Sequence, residues 1–130
     1  MRYQSEISIH VRCTEIDVNG HVNNAKYLEY LEWGREDWYE QFALDYNALK
    51  ELGIATVVAR VTANYRRESK QNDALRIRTH LAKVGNTSCS MVQTIWNQDD
   101  MLIVDAEFIV VTVDTQTRTP VPVPNVMRQS

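Results

Sequence analysis

The residues whose types and spacing could do chemistry stand in one short stretch: Asp17, the turn-forming pair Asn19-Gly20, His21, and the pair Asn23-Asn24. A carboxylate can serve as a nucleophile or as a general base. The segment from Thr14 to Gly20 is polar and reads as a loop or turn, and apolar residues at helical spacing begin directly after it. A helix start presents unpaired N–H groups and about half a positive charge. A carbonyl oxygen directed at the N–H of Asn24, or of a near neighbour, would be polarised there, with Asp17 close enough to approach its carbon. Asp17 then either attacks that carbon itself or activates a water that does; the sequence leaves both routes open. Gly20 permits close backbone approach or an unusual dihedral at the helix entry. His21 orients the loop, contacts substrate, or is a buried structural histidine. Asn23 and Asn24 are also plain capping candidates.

Elements must position that stretch. Glu6 to Val11 alternates, with Ile7, Ile9 and Val11 on one face, and predicts a half-buried strand. Val22, Ala25, Leu28, Leu31 and Trp33, with Tyr27 and Tyr30 beside them, predict an amphipathic helix to about Tyr39. Asp45 to Leu52 predicts a short second helix, with Asp45 as cap and Gly53 as stop. Strands follow over Ala55–Val61, Leu75–Val84, Thr87–Trp96 and Leu102–Val113, with Asn97-Gln98-Asp99-Asp100 as a hairpin turn. Pro120, Pro122 and Pro124 keep the tail out of any central strand. The fold class is α+β: one long helix, then a meander of strands whose short turns imply antiparallel neighbours.

Composition bounds the rest. The 130 residues suit a single domain, with 44% hydrophobic and 24% charged residues. A formal net charge of −3 argues against a dedicated nucleic-acid binder. No apolar run reaches the ~18 residues that span a membrane, and the N-terminus lacks a signal-peptide pattern, so the expected location is cytoplasmic. Cys13 and Cys89 are expected to be reduced packing residues. The histidines show no metal-ligand spacing, Ser88 and Ser90 form no GxSxG elbow, and no GxGxxG or P-loop occurs.

The run Asp17-x-x-Gly20-His21-Val22-Asn23-Asn24-x-x-Tyr27, continuing into Tyr30-Leu31-Glu32 and Arg35, resembles the 4-hydroxybenzoyl-CoA thioesterase-like branch of the hotdog-fold acyl thioesterases. The similarity continues loosely through Ala59-Arg60, Tyr65-Arg66, the Gly85-x-Thr87-Ser88 turn and the Pro120-Val121-Pro122 ending. The resemblance implies a long central helix wrapped by an antiparallel sheet of about five strands, spanning residues 1–130. It also implies active sites at the interface of a homodimer or homotetramer, with Asp17 at the catalytic carboxylate position, beside the Asn24 N–H that the helix start itself suggests. The expected activity is hydrolysis of an acyl thioester of coenzyme A or of an acyl carrier protein. A non-catalytic acyl-CoA or acyl-carrier binding module on the same fold is the alternative, because fold does not fix function.

Gly20, His21, Asn23 and Tyr27 are the substrate-binding candidates beside those two. The resemblance also implies that the strand Val57–Arg60 walls the pantetheine arm, which adds Val58, Ala59 and Arg60. Arg66, Arg67 and Lys70 form a basic cluster suited either to coenzyme A phosphates or to a solvated loop. Trp33, Trp38 and Phe42 read as core or subunit contacts. No metal and no cofactor are expected, coenzyme A being part of the substrate.

Overall fold

The computed structural model describes residues 4–128. Strand β1 is Gln4–His10, helix α1 Asn24–Gln41, helix α2 Tyr46–Glu51, and strands β2 to β5 are Ile54–Tyr65, Ala74–Val84, Ser88–Trp96 and Leu102–Asp114. Single 3₁₀ turns occupy Cys13–Glu15 and Asn125–Met127.

Helix α1 begins where Asn23 caps it, its side-chain oxygen accepting from the Ala25 N–H at 2.8 Å. Asn24 is therefore the first helical residue rather than a cap. The helix runs two residues past the expected Tyr39 and ends before Ala43, whose φ of 55° takes the chain out of the helical region. Its buried face is Tyr27, Tyr30, Leu31, Gly34 and Trp38, a stripe of i, i+3, i+4, i+7 and i+11. Ala25, Leu28 and Trp33, expected on that face, point outward instead. The tyrosines displaced them because their rings carry more apolar area to bury. Helix α2 is capped by Asp45, as expected, and Gly53 follows it at φ +74°.

The sheet has the order β1-β3-β4-β5-β2, antiparallel at every junction. Strands β3, β4 and β5 are the expected meander, with the turn at 97–100 closed by Asn97 donating its N–H to the Met101 carbonyl. The expected run of four neighbouring strands is corrected at β2. That strand pairs with β5, at the far edge from β3, so the 66–73 connection must cross the end of the sheet. Helix α1 lies over β1, β3 and β4.

Two features fix the helix on the sheet. A Cβ added at Gly34 would sit 2.7 Å from the Ile77 side chain, so only glycine allows this approach. Beside it Gln93, fully buried on β4, donates to the Leu31 carbonyl and the Thr79 hydroxyl and accepts from Arg35. The Arg35 guanidinium lies 3.8 Å from the centre of the Phe108 ring.

Strand β2 is longer than the expected Ala55–Val61 and far more exposed than β3, β4 and β5. It is an edge strand with an irregularity between Val58 and Arg60 that leaves Ala59 as the extra residue. Cys89 is buried, as expected; Cys13, expected to be a packing residue, is exposed in the 3₁₀ turn. No helix of the described residues is long and apolar enough to cross a membrane.

Candidate active site

The loop that carries Asp17 is held from beneath by Glu15. This carboxylate is buried, and its Oε1 accepts from the Tyr30 hydroxyl at 2.8 Å and from the Arg12 N–H at 2.9 Å. The Glu15 carbonyl accepts the N–H of Asn23, tying the helix cap to the same residue. Ile16 and Val22 then bridge in antiparallel fashion, and Asp17–Gly20 is the tight turn between them. Gly20 adopts φ +82° with no atom within 4 Å of where its Cβ would be. Its role is thus the left-handed dihedral, not close approach.

The 66–73 crossing supplies the opposite wall. Arg66 and Arg67 donate their N–H groups to the Ile103 carbonyl, and the Ser69 carbonyl accepts the Val22 N–H. Because β2 ends at the helix start, Tyr65 packs against Tyr27 with ring centres 5.8 Å apart.

Between these walls lies an open cavity of about 370 Å³. It is lined by Asp17, His21, Asn24 and Tyr27 from the turn and the start of α1, and by Tyr65, Arg66, Arg67 and Glu68 from the end of β2 and the crossing. One Asp17 oxygen accepts from the Asn19 N–H at 2.9 Å; the other has no partner among the described residues. The Asn24 N–H likewise meets no acceptor there. The cavity therefore combines an unclaimed carboxylate oxygen with an unclaimed helix N-terminal donor. His21 is half-buried, with Nε2 3.6 Å from Glu68 and Nδ1 3.4 Å from the Val22 carbonyl. Tyr27 is buried and its hydroxyl has no hydrogen-bond partner among the described residues. Burial pushes that phenol upward, and the neighbouring Ser69 acts against the shift. Arg66 is engaged elsewhere: its Nε lies 2.6 Å from Asp105, whose carboxyl is held below the usual range by Arg66 and Asn64. Arg67 makes no ion pair among the described residues.

Of the sequence candidates, Asp17, His21, Asn24, Tyr27, Arg66 and Arg67 share this cavity. Gly20 and Asn23 shape it through the turn and the cap without lining it. Val58, Ala59 and Arg60 are not brought to it. They sit at the irregularity in mid-β2, exposed, five to seven residues short of Tyr65. Among the aromatic candidates Trp38 is in the core, Phe42 packs against it, and Trp33 is exposed. Glu15, Glu68 and Ser69 were not anticipated. Nothing local marks Glu15 as buried, and Glu68 and Ser69 reach the site only through the crossing. Among the described residues no group of three or more His, Cys, Asp or Glu side chains is placed to hold a metal ion.

Comparison with known proteins places the chain and its fold. The model of the thioesterase-like superfamily matches residues 11–130. The long-chain acyl-CoA thioesterase FadM of Escherichia coli K12 is 31% identical over 125 residues, covering 95% of this chain and 94% of its own. The solved structure of YbaW, a probable thioesterase from Escherichia coli, superposes with a TM-score of 0.83 at 29% identity, covering 95% of this chain and 92% of its own. A 1,4-dihydroxy-2-naphthoyl-CoA thioesterase from Synechocystis superposes with a TM-score of 0.86 at 15% identity, over 96% of this chain and 93% of that one, a likeness of fold alone. The fold is the hotdog fold that the sequence motif implied.

Proposed function

The chain belongs to the thioesterase-like superfamily and is a hydrolase of acyl-CoA-type thioesters, and we propose that Asp17 and the start of α1 carry the reaction. The observation that supports this is the shared cavity: Asp17, with one oxygen unclaimed, and Asn24, whose N–H has no acceptor among the described residues, line the same cavity. The thioester carbonyl oxygen docks at the Asn24 N–H, where the α1 dipole favours the negative charge that develops on attack. Asp17 removes a proton from a water as its oxygen bonds to the carbonyl carbon, or attacks with its own oxygen. In the water route the tetrahedral intermediate collapses by breaking the C–S bond, the thiolate takes up a proton, and the free acid departs. The direct route passes through an acyl-Asp17 anhydride that water then cleaves. Arg67, with Lys70 nearby in the crossing, is the cationic contact for the phosphates of coenzyme A.

The assembly we propose is a dimer joined along β2. This edge exposes Val57, Val58, Val61 and Tyr65 at 41–45% of their surface. A row of β-branched and aromatic side chains on an unpaired edge fits a second copy of the same strand, related by a two-fold axis.

Asp17→Asn keeps an acceptor for the Asn19 N–H and should fold normally. Its thiol release from acyl-CoA esters should fall by at least ~100-fold, the scale of a lost general base, as should that of Asp17→Ala. Near-normal turnover in both variants would remove Asp17 from the mechanism.

A further inference from the structure

A further cavity, of about 280 Å³, shares no lining residue with the Asp17 cavity. It lies between the end of β1, the 3₁₀ turn and α1, and is lined by Ser8, Ile9, His10, Arg12, Glu15 and Trp33. Glu15 is its one buried member; the others are exposed or half-buried.

Two unlike charges line this cavity without meeting. Glu15 spends one oxygen, Oε1, on the Tyr30 hydroxyl and the Arg12 N–H, and its Oε2 accepts no hydrogen bond among the described residues. A buried carboxylate has lost much of its water, and a charged donor restores what the second oxygen lacks. The Arg12 guanidinium forms no ion pair with Glu15 or with any other described carboxylate, and the same holds for His10. Trp33 is 41% exposed, with its ring 5.3 Å from that of Tyr30. An indole in the same cavity as an open carboxylate oxygen suits an ammonium group, which both attract.

We propose that this cavity binds a small zwitterion with an apolar body, of the α-amino acid class. The ammonium sits on Glu15 Oε2 and the Trp33 ring, the carboxylate on Arg12, and the aliphatic part on Ile9. A plain amine meets Arg12 as a like charge and a plain acid meets Glu15 as one, so the cavity selects against both. The site is coupled to thioester cleavage through Glu15, because the same carboxylate ties Tyr30 of α1 to the turn that leads into Asp17. An ammonium on Oε2 keeps Glu15 ionised and in place, so occupancy steadies the Asp17 loop. The two cavities also stand at the ends of one aromatic row. Its members Tyr65, Tyr27, Tyr30 and Trp33 have successive ring centres 5.8, 6.0 and 5.3 Å apart.

Calorimetric titration of the whole chain with leucine, 3-methylbutylamine and 4-methylpentanoate tests the site. The three share a branched body; the second lacks the carboxylate and the third lacks the ammonium. Leucine should bind with a Kd of about 1 mM, ordinary for a ligand of its size, and the other two at least about tenfold more weakly. Arg12→Gln keeps the backbone N–H that Glu15 accepts, so it should fold and retain basal turnover. It should nevertheless weaken leucine by about tenfold or more without weakening 3-methylbutylamine, whereas Trp33→Ala should weaken both. An Arg12 that simply closes onto Glu15 leaves no site. No heat of binding with leucine would therefore overturn the proposal, as would equal affinities for the three probes or undiminished leucine binding in both variants. Saturating leucine should raise kcat/KM for butyryl-CoA by about fivefold in the wild type, the low end of ordinary coupling between sites, and leave Arg12→Gln unmoved. Wild-type turnover indifferent to leucine would refute the coupling. Binding is read without reference to catalysis: Asp17→Asn should take up leucine as the wild type does, so the site and the role of Asp17 fail separately.

Discussion

Glu15→Ala should loosen the active site before it unfolds the protein. The Glu15 carboxylate is 9% exposed, and one of its oxygens accepts two donors, the Tyr30 hydroxyl at 2.8 Å and the Arg12 N–H at 2.9 Å. Tyr30 is itself fully buried. Hydrogen bonds to a charged group contribute about 1.5–3 kcal/mol each, and truncation also leaves the Tyr30 hydroxyl without an acceptor. Taking the low end for both gives a loss of about 3 kcal/mol. For a chain of this size that corresponds to a fall in Tm of about 10 °C. Tyr30→Phe removes one of the two bonds, so the double variant should lose less than the sum of the singles, with a coupling of about 1.5 kcal/mol. Glu15→Gln keeps one acceptor oxygen and should recover roughly half of the loss. The same change should shift the Asp17 loop, because the carboxylate ties the Arg12–Glu15 turn that leads into it to Tyr30 of α1, and only the backbone bond from Asn23 to Glu15 then remains. We therefore expect kcat/KM at a temperature well below Tm to drop by about tenfold to a hundredfold. Thermal denaturation of the four variants, with thiol-release kinetics on each, measures both effects. A Glu15→Ala protein within ~0.5 kcal/mol of wild type, or strictly additive variants, would refute the view that this carboxylate anchors the site.

Gly34→Ala should destabilise the protein by about 1–2 kcal/mol in denaturant unfolding, overpacking against Ile77, Gln93 and Thr79 outweighing the ~1 kcal/mol gained in helix propensity. A stabilised variant would mean that α1 does not ride as close to β3 and β4 as the geometry requires. Thiol titration of the native protein near neutral pH should label one cysteine per chain, Cys13. Cys89 is buried and its thiol pushed up to about 11, so it should react only on unfolding; rapid labelling of both would contradict its place in the core.

Much of this architecture was legible from particular residues. The alternation of Ile7 and Ile9, the cap at Asp45 and the turn at 97–100 are local signals, and each element formed where its own side chains required. That Asp17, Asn24 and Tyr27 lie together, as they do in lining one cavity, was legible because they fall within one turn and the first helical residues after it. What was not legible is long-range. Ala25, Leu28 and Trp33 fit helical spacing as well as Tyr27, Tyr30 and Gly34 do, and only packing against Ile77 and Gln93 decides which stripe turns inward. Strand β2 carries valines on both faces, a pattern that periodicity reads as a buried strand. It occupies an edge because β5 takes it as a partner while β3 pairs with β1 and β4. Glu15 was passed over for the same reason, since a carboxylate becomes a buried anchor only when a distant hydroxyl comes to meet it.

The placement of β2 links the proposed chemistry to the proposed assembly. Had β2 paired with β3, the chain would have turned directly from one strand to the next, and Tyr65 to Ser69 would be a hairpin remote from α1. Because it pairs with β5, the chain must cross the end of the sheet, and that crossing delivers Arg67, Glu68 and the Ser69 carbonyl to the start of the helix. The same choice leaves β2 with one bare edge and with Val58, Val61 and Tyr65 unroofed by their own helix. The strand that completes the wall of the Asp17 cavity is thus the strand that most needs a second subunit. Under the proposed β2-joined dimer, a substitution that disrupts this edge should therefore lower thiol release even with Asp17 and Asn24 untouched; sedimentation and kinetics on the same variant check it, and a monomer with full turnover would refute the link.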